Sequence, residues 1–287
     1  MKTCFHYSSR KLESRLLFRD REDYVYGMNT LALFKTGFPD VSVYAFVLMS
    51  NHIHLLLGGP RSACQAYYNA VMHRVSLMLR KKYGVSGVVP FGEKSCHIVE
   101  VKGKEHFTTE VLYILRNPFK AKICFPGDYP WSSCGTYFSA RFRMQGRPAS
   151  GFTVRALRKL LNTNYSVPDG SRIDAAGMIL PDFVSRKIVE LAFDNDEAVF
   201  LRRLTEPVEL RSACLSGRPM AVKFSDRELA ERLPAICRNE WNVQDYKLLG
   251  AKELLRLCQM MYRRFGATPD QLQRLLGVDK SRLEDWL

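Results

Sequence analysis

The stretch Ser50-Asn51-His52-Ile53-His54-Leu55-Leu56-Leu57 decides how the chain is read. It follows an alternating run over 41–48, so the pair predicts two strands joined by a tight Met-Ser-Asn connection. Successive side chains on a strand point to opposite faces, which puts His52 and His54 on one face with Cα atoms about 6 to 7 Å apart. Two imidazoles held that way can converge on one cation. Alone, a His-x-His pair is weak evidence, because a strand histidine is more often a hydrogen-bonded structural residue.

Working outward, residues 4–8 predict a short strand and 23–35 a helix that stops at Gly37-Phe38-Pro39. Gly58-Gly59-Pro60 ends the histidine strand, and 62–82 reads as a long helix with Tyr67, Val71, Val75, Met78 and Leu79 on its apolar side. A fourth strand is expected over 96–101. Strand, helix, strand, strand, helix, strand is the order of a ferredoxin-like antiparallel sheet with helices packed on one face, an α+β class.

A further helix is expected over 108–116, ended by Asn117-Pro118, with Glu110 near its positive N-terminus. At about 100° per residue, Phe107, Val111, Ile114 and Leu115 make the buried stripe, and Tyr113 falls off it. Tyr113 and Asn117 are one turn apart and share a face. Residues 126–138, rich in aromatics and turns, are expected to fold back on the sheet, and 141–151 reads as a basic linker.

Three units follow: 1–145 as the catalytic domain, 146–223 as a basic linker with accessory helices, and 224–287 as a helical domain. The last unit opens on a capping box at Ser225 and Glu228. Leu254, Leu257, Cys258, Met261 and Phe265 stripe one of its helices. Thr268-Pro269 reads as the cap and first residue of another, with Gly277 as a turn and 280–286 as a final helix. Leu272, Leu276, Val278, Leu283 and Trp286 are expected to bury together. The spacing resembles a helix-turn-helix with Lys280 and Arg282 on the recognition helix; a plain helical bundle is the competing expectation.

Lys and Arg number 43 against 29 Asp and Glu, a net charge of +14, and so basic a chain usually meets a polyanion. Eight cysteines without a C-x-x-C pair point to neither a zinc framework nor a disulfide scaffold. With no apolar signal core and no run long enough to cross a bilayer, the expectation is a cytoplasmic protein without membrane contact.

Metal-assisted phosphodiester chemistry needs an ion to polarise the phosphate, an in-line nucleophile and a surface for the polyanion. His52 and His54 can hold the ion with the Asn117 side-chain oxygen as third ligand, and Tyr113 can aim its phenol at the same phosphate. A tyrosine attacking DNA exchanges one phosphodiester for another and needs no nucleotide cofactor.

The run Asn51-His52-Ile53-His54-Leu55-Leu56-Leu57, then Tyr113-Ile114-Leu115-Arg116-Asn117-Pro118, Lys120-Ala121 and Asp128-Tyr129-Pro130-Trp131-Ser132-Ser133 together resemble the REP-associated tyrosine transposases. These are a branch of the single-tyrosine HUH transposases of insertion sequences, and the match covers about the first half of the chain. The resemblance implies a catalytic domain acting on single-stranded DNA beside a hairpin, in a bacterial, nucleoid-associated setting. It implies Mg²⁺ or Mn²⁺ on His52, His54 and Asn117, and a Tyr113 that leaves a 5′-phosphotyrosine and a free 3′-OH. Relatives act as monomers or homodimers. The chain departs from the family pattern at Ser50, where a proline is usual, at Arg116 and at Cys134. The loop Ser8-Ser9-Arg10-Lys11 departs as well.

Arg10, Lys11, Arg15, Arg74 and Lys120 are candidate phosphate contacts. His6, on a strand that should neighbour the histidine pair, is kept only as a candidate outer partner of it, whereas His73 and His97 read as structural. Trp131 and Tyr129 are expected to pack on the sheet rather than stack on bases. Two rivals remain: a domesticated hairpin-binding protein without transposition activity, and an RNA-binding ferredoxin-like module, which more typically carries aromatics on its sheet face.

Overall fold

The computed structural model describes residues 3–9, 16–84, 96–161, 163–168, 170–206, 224 and 226–286. Four strands, β1 (Cys4–Ser9), β2 (Ser42–Met49), β3 (His52–Gly58) and β4 (Cys96–Val101), form a sheet in the order β2-β3-β1-β4. Every neighbouring pair is antiparallel. Helices α1 (Arg21–Lys35) and α2 (Arg61–Tyr83) connect β1 to β2 and β3 to β4, which completes the ferredoxin-like order. Met49 pairs with His52, so Ser50 and Asn51 alone make the hairpin turn.

The expectation of helices on one face holds for α1 and α2. A third helix, α3 (Gly103–Leu115), covers the other face, which is why β3 is buried along its whole length. Tyr7 stacks on Tyr68 of α2 at 5.3 Å, while its neighbour His6 meets Glu110 and Tyr113 of α3. Ile53, Leu55 and Leu57 are fully buried, each contributing about 1.5–3 kcal/mol of burial free energy. The helix-period stripe of α3, Phe107, Val111, Ile114 and Leu115, is buried as its spacing predicts, and Tyr113 is 41% exposed.

Two details place α3. A bulge between Val43 and Ala45 sets Tyr44 against Gly58, where a Cβ would lie 2.4 Å from the ring, and Tyr44 meets Phe107 edge-on at 5.2 Å. The helix also begins at Gly103, five residues earlier than expected. No Ser, Thr, Asp or Asn side chain caps it; instead the Lys102 N–H donates to His106 Nδ1 at 3.2 Å. Glu110 therefore stands in the middle of α3, not in its first turn.

The 126–138 segment folds back on β2 as expected. The Leu48 N–H donates to Trp131 O, Tyr129 Oη donates to Leu48 O, and Trp131 stacks on Tyr24 at 4.9 Å. The stretch expected as a linker carries a helix (Ala140–Met144) and a strand (Arg147–Pro148) paired with Arg172–Ile173. Leu161, Ile173 and Ile179 then bury against Ala32 and Leu33 of α1.

At the C-terminus, helices Asp226–Trp241, Ala251–Phe265, Pro269–Leu276 and Lys280–Trp286 share a core that includes Leu229, Leu233, Leu257, Leu272, Leu276 and Leu283. Thr268 and Gln271 cap the third reciprocally, and Gly277 ends it at φ 69°. Ser225, expected to cap the first, lies outside the described residues. Among the described residues no cysteine is disulfide-bonded, and no helix is long and apolar enough to cross a membrane.

Candidate active site

His52 and His54 project from the same face of β3, 6% and 5% exposed, with ring centroids 4.9 Å apart and planes at 88°. Strand alternation alone put them there. The partners of their Nδ1 atoms decide what the rings can do: His52 Nδ1 meets Asn51 Oδ1 at 2.8 Å, and His54 Nδ1 meets His6 Nε2 at 2.9 Å.

A carboxylate stands behind His6. Glu110 Oε2 lies 2.7 Å from His6 Nδ1, and a carboxylate accepts, so that nitrogen carries the hydrogen. When His6 is neutral its other nitrogen accepts from His54 Nδ1, which leaves the lone pair on His54 Nε2; when His6 is protonated the direction between the two rings reverses. The Asn51 carbonyl oxygen orients His52 in the same way. Polar partners of this kind on the second ring nitrogen fix the orientation of an imidazole. The His6 imidazole 2.7 Å away is the main reason the Glu110 carboxyl is held below its ordinary value, outweighing its burial.

His6 thus stands behind the pair, as the sequence suggested. Glu110 was missed as a site residue because the late helix start misassigned it; its spacing of three from Tyr113 was the available signal.

Tyr113 reaches the same place from α3. Its ring centroid is 5.7 Å from that of His54 and 5.8 Å from that of His6, in edge-to-face geometry, within one chain. Lys120 Nζ sits 4.1 Å over the Tyr113 ring, delivered by the short helix α4 (Asn117–Lys120). Asn117 Nδ2 donates to Tyr113 O at 3.0 Å and Ile114 O at 3.1 Å. The planar amide then turns Oδ1 away from those carbonyls.

Among the described residues no group of three or more His, Cys, Asp or Glu side chains is arranged to hold a metal ion. His52 and His54 bring two imidazoles together, a donor pair suited to a divalent ion whose remaining positions take oxygen ligands.

The other candidates are spread out. Arg10, Lys11 and Arg15 lie outside the described residues. Arg74 is on α2, across the sheet from the histidines, over the rings of Tyr26 and Tyr165. Lys280 pairs with Asp270 at 2.9 Å and Arg282 is exposed, both on the final helix. His97 pairs with Ser8 on β4 and is exposed, as is His73 on α2.

No family model matches this chain, and no curated protein matches it. Among solved structures it is similar to a REP-associated tyrosine transposase bound to a REP hairpin, at 17% identity over 47% of this chain and 78% of that one, with a TM-score of 0.38. A likeness that distant supports no inference about this chain.

Proposed function

We propose that the protein is a metal-dependent single-strand DNA endonuclease and strand transferase of the single-tyrosine HUH kind, acting beside DNA hairpins. The observation that carries this is the meeting of Tyr113 with the His52–His54 pair, supported by the four ordered motifs that resemble the family.

In the proposed reaction His52, His54 and Asn117 would hold Mn²⁺ or Mg²⁺, which would supply polarisation of the scissile phosphate. Tyr113 Oη attacks phosphorus; the new Oη–P bond forms as the P–O3′ bond breaks. The phenol loses its proton to solvent or a base, and the departing 3′ oxygen gains one. The products are a 5′-phosphotyrosine and a 3′-OH, and attack by another 3′-OH reverses the step. Lys120, whose Nζ lies over the Tyr113 ring, supplies a positive charge for the phosphate that the phenol attacks. The +14 net charge supplies general attraction to DNA.

The test is incubation of the protein with a labelled single-stranded hairpin oligonucleotide and Mn²⁺. A covalent adduct is expected that EDTA, His54→Ala and Tyr113→Phe each abolish. Tight hairpin binding without any adduct overturns the enzyme in favour of a binding-only protein.

A further inference from the structure

The turn that presents Asn51 and His52 is gripped from outside the ferredoxin-like domain. Ser50 Oγ donates to Asp226 Oδ2 at 2.7 Å. Asp226 also accepts from Arg274 Nε at 2.7 Å and Nη2 at 2.9 Å, and both partners of that ion pair are nearly buried. Asp226 and Arg274 belong to helices Asp226–Trp241 and Pro269–Leu276 of the C-terminal bundle. The other polar end of Ser50 is held as well, its carbonyl accepting from the Leu17 N–H at 2.7 Å and the Phe18 N–H at 3.1 Å. The preceding residue, Leu16, is buried among Leu229, Leu233 and Leu275 of the same bundle.

The second wall of the site has a comparable tie. Arg116, between Tyr113 and Asn117, donates from Nη2 to Arg203 O and from Nε to Leu204 O, the latter at 3.0 Å. Those carbonyls close helix Glu197–Leu204, where the last C=O groups lack intrahelical partners and the helix dipole is negative. Ser50 and Arg116 are therefore two points at which residues beyond the sheet reach the segments around His52 and Tyr113.

We infer that the helices after the sheet domain form a positioning frame for the metal site: Asp226 and Arg274 hold the Ser50 turn, and through Asn51 they set the orientation of His52. The inference rests on the metal site proposed above. A buried, bidentate ion pair is a poor source of stability but a directional one, since Asp226 must meet its donors at fixed angles. A displaced Ser50 carries Asn51, 4% exposed, and the Asn51 Oδ1 to His52 Nδ1 contact with it. Asp226, Arg274 and Ser50 are positioning residues; none touches the reacting atoms.

The test uses the full chain and three variants: Ser50→Ala, which removes one hydroxyl and leaves the Asp226–Arg274 pair in place, Ser50→Thr, which keeps the hydroxyl, and Arg274→Met. Mn²⁺ affinity is measured by EPR titration of free Mn²⁺, single-turnover cleavage on a hairpin oligonucleotide, and folding by thermal melting. Ser50→Ala and Arg274→Met are expected to weaken Mn²⁺ binding about tenfold or more, as loss of outer-shell orientation does. Cleavage is expected to slow with half-saturating DNA unchanged, and Ser50→Thr to restore both. If Arg274→Met fails to fold, the serine pair decides. Wild-type Mn²⁺ affinity in Ser50→Ala alongside normal binding by the parent overturns the frame alone. A parent chain that binds no Mn²⁺ overturns the metal site and the frame together.

Discussion

The rings of His54 and Tyr113 lie with centroids 5.7 Å apart, one on an interior strand of the sheet and the other on the helix that covers it. Three features produce that closeness. Alternation along β3 turns His54 to the α3 face, the apolar stripe of α3 fixes that helix's roll, and Gly58 leaves room for Tyr44 beneath Phe107. Tyr113 then reaches the rim of the histidine cluster while 41% of it remains exposed.

Removing the carboxylate behind the pair should loosen metal binding without unfolding the chain. Glu110→Leu is expected to weaken Mn²⁺ affinity about 10- to 100-fold by releasing the His6–His54 orientation. A Mn²⁺ titration with circular dichroism as the folding control checks this. Unchanged affinity would assign Glu110 to packing alone.

Gly58→Ala should cost about 1–3 kcal/mol, because the new methyl would have to displace the Tyr44 ring and, with it, the Phe107 contact of α3. Urea denaturation measures the loss. A neutral substitution would show that Tyr44 moves freely and does not set the position of α3.

Much of this was legible in the sequence because it follows from local periodicity. The strand order, the burial of α2 along Tyr67, Val71, Val75, Met78 and Leu79, and the cap and turn residues Thr268, Pro269 and Gly277 all announce themselves within a few residues. What was hidden depends on partners distant in sequence. The start of α3 rests on a histidine reaching back to a backbone N–H, which no cap preference encodes, so Glu110 was misplaced. The roles of Ser50 and Arg116 stayed invisible because their partners, Asp226 and Arg203 to Leu204, come long after them in the chain. Arg74 looked like any basic residue near the motif, but the sheet separates its face from the histidines.

Acid should destabilise the fold partly through Asp226. Burial is the largest influence on this carboxyl and opposes its charge, but Arg274 and the hydrogen bonds from Arg274 and Ser50 outweigh it, holding the group below its ordinary 3.8. The unfolded chain therefore takes up the proton first as pH falls. The stabilisation is present above 3.8 and is lost as pH drops below it through the folded-state value. Asp226→Asn should flatten the dependence of the urea midpoint on pH over that range; an unaltered slope would contradict the linkage. Breaking the pair outright with Arg274→Met is expected to cost about 3–5 kcal/mol at neutral pH.

Lys120→Met should weaken single-stranded DNA binding and lower the magnitude of its log–log salt slope by about 0.7, the signature of one lost phosphate contact. Fluorescence anisotropy over a salt series provides the slope. An unchanged slope would confine Lys120 to its contact with the Tyr113 ring.

The most direct measurement is tandem mass spectrometry of the proteolysed protein–DNA adduct formed on a hairpin substrate with Mn²⁺. A nucleotide joined through its 5′ phosphate to the peptide containing Tyr113, at that side chain, is the predicted result. Linkage to any other residue would contradict a phenol nucleophile at the His52–His54 centre.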